Sequence, residues 1–314
     1  MRACVDIGGT KLAVSLAADG QSLDGSARPL LGRRSEPTAK TSDNFAVARQ
    51  ILRMVDEVCA EQKIAPEAVR RVGVSSAGPF VLNAGAIELA TPNICGGIAG
   101  PARGLPNDWM TAPVEAPLAV RFDEVRVEND AVGALEAERR WGALQGVGHC
   151  AYVTWSTGIG VGLCVDGRVL HGKNGNAGHA GHTFVVDDDS NALCGCGNVG
   201  DVEGLTAGNA IERRFGQPAE ALFAAAAAGD AAALARVDAL CRSMGRMLYN
   251  LVATLDLERI SLGGSVFWNN REFLLPRLQA QIDGRLPSLT AGVTLVPAGL
   301  GDKVGDYAAL ALLD

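Results

Sequence analysis

The sequence lacks any run of about 18 consecutive apolar residues, which excludes a membrane-spanning helix. It opens without the basic stretch, apolar core and small-residue cleavage site of a secretory signal, so cytoplasmic residence is the expectation. Clustered positive charge is missing too. Lys and Arg number 28 against 35 Asp and Glu, a formal net charge of −7, and binding to a phosphate backbone needs concentrated Lys and Arg. Neither nucleic acid nor a membrane is therefore an expected partner. Eight cysteines in 314 residues are too few and too scattered for a disulfide framework. No G-x-x-x-x-G-K-[ST] loop occurs and no G-x-G-x-x-G follows the first strand, so a nucleotide must be held by other means.

What is present reads as a soluble α/β chain. Hydrophobic residues make up 48% and charged residues 20%, and the length exceeds that of one core, which predicts two domains with a cleft. The chain starts with a strand-like segment to Ile7, a Gly8-Gly9-Thr10 turn, a strand from Lys11 to Ala17 and an Asp19-Gly20 hairpin signal. Phe45, Ala48, Ile51, Leu52, Val55 and Val58 follow at helical spacing, with Ser42 or Asp43 as cap. Val72 to Ser75 runs as a buried strand into Ala77-Gly78-Pro79. Gly and Pro crowd residues 94–117, which places a domain boundary near Leu118. The expected domains are 1–117, completed by a terminal helix within about 298–314, and 118–297. After a strand at Val125 to Val127, Asp130 falls at a helix start. Tyr152 to Trp155, the Ser156-Thr157-Gly158-Ile159-Gly160 turn, Val161 to Val165 and Asp166-Gly167 then repeat the opening plan, the mark of an internal duplication. An alanine tract from 224 to 228 lies in a long helical stretch reaching Thr254, and a strand from Arg259 to Leu262 ends at Gly263-Gly264-Ser265.

Three groups of residues carry chemistry. Asp6 beside Gly8, Gly9, Thr10 and Lys11 joins a carboxylate to a bare turn whose N–H groups can meet a phosphate, the other reading being an ordinary glycine hairpin. The matching Thr157-Gly158 turn supports the first reading and suits Mg·ATP, with Asp6 near the Mg²⁺. Asp130 is placed to accept a proton from a hydroxyl that attacks a phosphoryl group, with Asn129 beside it to bind hydroxyls; the other reading makes Asp130 an N-cap. His182, Cys194 and Cys196 offer one imidazole and two thiolates, with Asp201 as fourth ligand, a donor set suited to structural Zn²⁺; the alternative is a pair of buried thiols with a satisfied histidine.

These motifs together resemble the ROK family of sugar kinases (repressor, open reading frame, kinase) over essentially the whole chain. Asp6-Ile7-Gly8-Gly9-Thr10-Lys11 is similar to its ATP-phosphate motif, Glu128-Asn129-Asp130-Ala131 to its catalytic segment, and Cys194-Gly195-Cys196-Gly197 through Glu203 to its zinc motif. The resemblance implies two ribonuclease-H-like domains related to hexokinase and actin, with an interdomain cleft, ATP and a sugar as substrates, Mg²⁺, a structural Zn²⁺ and a homodimer. It assigns Asp130 as base, Gly78, Asn93, Asn129, His182 and Glu203 to the sugar, and Gly158, Gly263 and Gly264 to the nucleotide. The sequence departs from the family at two positions. His179 stands where the E-x-G-H pattern has a sugar-binding glutamate, and Gly175 to Thr183 with its H-x-G-H resembles bacterial N-acetylmannosamine kinases. Asp201 replaces the third zinc cysteine, a harder ligand that weakens the site. A DNA-binding regulator is disfavoured because the phosphate motif begins at Asp6, leaving no room for a winged helix before it; an actin-like ATPase leaves the histidine and cysteine tract unexplained.

Overall fold

A computed structural model describes residues 1–20, 25–99, 104–186 and 191–314. The chain divides into two compact units, one of residues 1–137, 171–177 and 305–314 and the other of residues 138–170 and 178–304. Each is built on a five-stranded mixed sheet, and the two sheets share one plan. In the first, β1 (Arg2–Ile7), β2 (Lys11–Ala17), β3 (Leu31–Pro37), β4 (Arg71–Ser76) and β8 (Glu124–Asn129) lie in the order β3-β2-β1-β4-β8. In the second, β9 (Cys150–Trp155), β10 (Ile159–Val165), β11 (Arg168–Val169), β12 (Arg259–Gly263) and β13 (Thr294–Pro297) lie in the order β11-β10-β9-β12-β13. In each sheet two antiparallel strands are followed by parallel ones. The duplication expected from the glycine turns is a duplication of topology.

The division falls after Ala137 and not at Leu118. β8 pairs in parallel with β4 over its whole length, Arg71 opposite Glu124 and Ser76 opposite Asn129, so it cannot belong to the second unit. At the C-terminus, residues 298–304 stay with the second unit, where Ala298 N–H donates to Leu262 O at 2.8 Å. The terminal helix Val304–Ala311 packs on the first unit from Gly305 onward, because Gly73 on β4 leaves room: a Cβ there would lie 2.1 Å from Ala309 O. The expected single helix through the alanine tract is two, Ala219–Ala227 and Ala231–Leu255. Gly229 turns the chain at φ 90°, and the Asp230 carboxylate caps the second helix by accepting Ala233 N–H at 2.7 Å.

β5 (Phe80–Asn83), β6 (Ala86–Leu89) and β7 (Ala112–Pro113) form a small sheet, of which β7 alone falls within residues 94–117, expected to be mostly irregular. Helix Ala46–Glu61 buries Ile51, Met54, Val55 and Val58 against the first sheet, at about 1.5–3 kcal/mol for each large side chain. In the second unit Glu138 is a fully buried carboxylate whose oxygens accept from Ser261 Oγ at 3.1 Å and from the N–H groups of Ala143, Gly299 and Leu300 at 2.8–2.9 Å. Four donors compensate its desolvation and join the end of helix Asp130–Trp141 to β12. Among the described residues no helix is long and apolar enough to cross a membrane.

Candidate active site

The first unit collects its candidate residues at one sheet edge. β1, β4 and β8 run parallel, with Ile7 opposite Ser76 and Ser76 opposite Asn129, so the segments leaving their C-terminal ends are neighbours. Those segments carry Gly8-Gly9, Gly78 and Asn129-Asp130, the end of a parallel sheet where ligands bind. The Gly8 turn is closed by Gly8 N–H donating to Lys11 O at 2.8 Å. Thr38, which no sequence pattern singled out, donates its hydroxyl to Gly8 O at 2.7 Å and its N–H to Thr10 O at 3.1 Å. Gly9 has to be glycine, since a Cβ there would lie 2.6 Å from Asn93 Cβ. That close approach brings Asn93 against the turn, while Thr10 and Lys11 stay exposed. Asn129 is buried and its Oδ1 accepts Ala131 N–H at 3.0 Å; Asp130 opens helix Asp130–Trp141 and is exposed, as a group that exchanges a proton with a ligand requires.

Burial pushes the Asp6 carboxyl up from 3.8 to about 6, and the negative charge of Asp130 adds to the rise; Arg33 works against it. A raised folded-state pKa means that this group's contribution to stability is complete below pH 3.8 and is lost as pH climbs through about 6. Without divalent cations, Asp6→Asn is therefore expected to stabilise the protein above that range by on the order of 2 kcal/mol. Thermal melts of both proteins against pH check this: the variant's advantage should open between about pH 4 and 6, and a less stable variant at pH 8 would refute it.

The second unit repeats the arrangement. β9 and β12 are parallel, with Thr154 opposite Gly263, and Ser156 N–H donates to Gly158 O at 3.0 Å to close the second turn. A Cβ on Gly263 would lie 2.3 Å from Tyr152 Oη, and one on Gly264, at φ 85°, 2.6 Å from Thr154 Oγ1. Both glycines keep this end of β12 flush with the turn. Glu203, carried over from the resemblance as a sugar contact, has a further place: Oε2 accepts Ile159 N–H at 3.0 Å and Oε1 accepts the Cys194 thiol at 3.3 Å. One carboxylate thus braces the Thr157-Gly158 turn and ties it to the cysteine segment.

The four sequence-predicted metal ligands converge in that unit. One donor atom from each of His182, Cys194, Cys196 and Asp201 lies within 4.8 Å of the others. Neighbouring separations are 3.2 Å from His182 Nδ1 to Asp201 Oδ2, 3.6 Å from Cys194 Sγ to His182 Nδ1 and 3.5 Å from Cys196 Sγ to Asp201 Oδ2. The edges of a tetrahedron with zinc-like bonds are about 3.3–3.8 Å, so the donor set fits such an ion. Asp201 is fully buried and divides its oxygens: Oδ1 caps helix Val202–Thr206 by accepting Gly204 N–H at 2.7 Å, which leaves Oδ2 in the cluster. The hydrogen bond to Asp201 raises the pKa of His182, and burial raises that of the Cys194 thiol. Burial opposes ionisation of Asp201, but the bonds from His182 and Gly204 outweigh it and hold the carboxyl below its usual range.

His179 precedes the short 3₁₀ turn Ala180–His182 and its ring stacks on that of His182, centroids 6.1 Å apart and 27° between planes. Gly178 and Gly181 hold this segment against β10: a Cβ on the first would lie 2.0 Å from Val161 O, and on the second 2.6 Å from Ile159 O. His171, in the first unit, pairs through Nδ1 with Glu128 Oε1 at 3.1 Å.

Comparison with known proteins gives this geometry a context. The sequence model described as the ROK family matches residues 2–314. A glucokinase from Aeropyrum pernix is 31% identical over 267 residues, 78% of this chain and 79% of that protein. An N-acetylmannosamine kinase from Escherichia coli is 31% identical over 270 residues, 83% of this chain and 82% of its own. Among solved structures, a ROK family glucokinase from Streptomyces griseus in complex with glucose and AMPPNP has a TM-score of 0.69 and 26% identity, covering 99% of this chain and 98% of that one.

Proposed function

From the premise that the chain belongs to the ROK family and is a sugar kinase of that type, we propose that it transfers the γ-phosphoryl group of ATP to the 6-hydroxyl of a 2-acetamido hexose, N-acetylmannosamine. The observation that carries the choice of sugar is His179 at the position where the family resemblance expects glutamate. A carboxylate accepts hydrogen bonds only, whereas an imidazole can donate one to an acetamido carbonyl. The likeness to the Escherichia coli N-acetylmannosamine kinase supports the same reading. The equal identity of the Aeropyrum pernix glucokinase favours glucose as the second reading.

In this proposal Asp130 takes the proton from the 6-hydroxyl as its oxygen attacks phosphorus and the bond from phosphorus to the ADP oxygen breaks. Gly78, Asn93, Asn129, His179, His182 and Glu203 bind the sugar's other groups. The Gly8-Gly9-Thr10-Lys11 and Thr157-Gly158 turns, with Gly263 and Gly264, receive the nucleotide, and Asp6 stands in the shell of Mg²⁺, which when bound neutralises phosphate charge. A coupled ADP-release assay across glucose, mannose, N-acetylglucosamine, N-acetylmannosamine, allose and fructose tests the proposal. N-acetylmannosamine is expected to give the highest kcat/KM; a preference for glucose installs the second reading.

Zinc is proposed for the His182, Cys194, Cys196 and Asp201 cluster, where it would cross-link the segment 182–201 as a structural ion. Protein purified without chelators is expected to carry close to one zinc per chain, and Asp201→Cys to tighten binding by about 10–100-fold. A chain that purifies free of zinc and gains none from micromolar zinc solutions overturns the assignment.

A further inference from the structure

We propose that the loop His171–Ala177 is a positioning element for the acceptor sugar, acting through Asn176; this rests on the reading of Gly78 and Asp130 as acceptor-facing residues. The loop closes on itself, with Ala177 N–H donating to His171 O at 3.0 Å, and Gly172 and Gly175 make its bends at φ 73° and 75°. From it the Asn176 side chain grips the backbone of one residue of the first unit in both directions. Its Oδ1 accepts Phe80 N–H at 2.8 Å and its Nδ2 donates to Phe80 O at 2.8 Å. A primary amide paired this way reproduces two rungs of a β-ladder within a single side chain and so fixes the orientation of the backbone as well as its position.

The residue gripped is the one that follows Gly78-Pro79. Phe80 is anchored by its own ring, 1% exposed in the core, and Pro79 O accepts Ala90 N–H at 2.9 Å, so the Gly78 corner is held from three directions. The other end of the loop reaches the neighbouring strand. His171 Nδ1 lies 3.1 Å from Oε1 of Glu128, two residues ahead of Asp130. β4 and β8 are adjacent and parallel, so one seven-residue loop braces the chain beside both strand ends that carry acceptor-facing residues. Loss of the Asn176 bonds frees the Gly78 corner while the two glycine turns that receive the nucleotide keep their own closing bonds.

Steady-state kinetics of the full chain with Asn176→Ala, Asn176→Asp and His171→Gln, alongside thermal melts, test this. Asn176→Ala is expected to raise the sugar KM about tenfold, with the KM for ATP within about twofold and kcat within about threefold of the parent. Asn176→Asp loses the donor and sets a charge against Phe80 O, so its sugar KM should rise at least as far. His171→Gln retains a donor toward Glu128 and should stay near the parent. A sugar KM unchanged in Asn176→Ala, or sugar and ATP KM values rising together in step with a lower Tm, overturns the positioning role. If Asp130→Asn leaves turnover intact, the premise of an acceptor facing these strand ends fails, and this proposal falls with it.

Discussion

Asp130→Asn is expected to lower kcat by about 100- to 10,000-fold while leaving the sugar's dissociation constant within about threefold. The substitution is nearly isosteric and keeps an oxygen to accept Ala131 N–H, a bond the Asp130 carboxylate makes at 2.8 Å. Asn also suits the start of a helix, so helix Asp130–Trp141 should form as before. What is lost is the ability to take a proton. A primary alcohol is a weak nucleophile, and its proton must leave as the oxygen closes on phosphorus; an amide oxygen cannot receive it at neutral pH. Binding contacts formed in the ground state survive, which separates this outcome from that of a residue that only holds sugar. Single-turnover phosphorylation, with calorimetric titration of the sugar in the absence of nucleotide, measures the two quantities independently. A kcat within tenfold of the parent's would remove Asp130 as the base and return it to the N-cap reading.

The parts of the fold legible in the sequence are those with local causes. Glycine turns declare themselves because few other residues allow the backbone to approach so closely, and two copies of one strand-turn-strand plan announced the repeated sheet order. β3 stayed hidden because it is an edge strand whose Leu31–Pro37 sequence carries Arg33, Arg34 and Glu36 in place of an apolar alternation. Its ladder with β2 and the ion pairs of Arg34 with Glu57 and Glu61 supply what the pattern lacks. The domain boundary was misplaced for a related reason. A density of Gly and Pro shows where regular structure weakens, whereas membership of a sheet depends on which distant strand β8 pairs with.

The site divides along the same line. Asp130, the two glycine turns and the four metal-ligand candidates could be named from residue type and spacing. Thr38, the bracing role of Glu203 and the Asn176 clasp could not, because each works through a side chain bonded to backbone 30, 44 and 96 residues away. Such bonds leave no periodic trace in a sequence. They nonetheless set where the glycine turns and the Gly78 corner sit, so the geometry of the candidate site depends on residues that motif reading passes over.

His179→Glu is expected to lower the ratio of kcat/KM for N-acetylmannosamine over that for glucose by about 100-fold, the product of two opposed changes of about tenfold each. A carboxylate set toward an acetamido carbonyl meets acceptor with acceptor, and a buried polar group left without a donor is penalised. The hydroxyls of glucose, in contrast, donate readily to it. The backbone should tolerate the change, because the His179 side chain makes no capping bond to the turn Ala180–His182; the segment's place against β10 comes from Gly178 and Gly181. The new carboxylate would lie beside His182, whose ring now stacks on that of His179 at 6.1 Å, and would favour a positive charge there. Metal analysis of the variant therefore accompanies the kinetics, so that a specificity change is read only in protein with an unchanged metal content. An unaltered ranking of sugars under that condition would mean that the discrimination between acetamido and hydroxyl groups at C2 comes from elsewhere, and the assignment of an amido sugar would lose the residue it rests on.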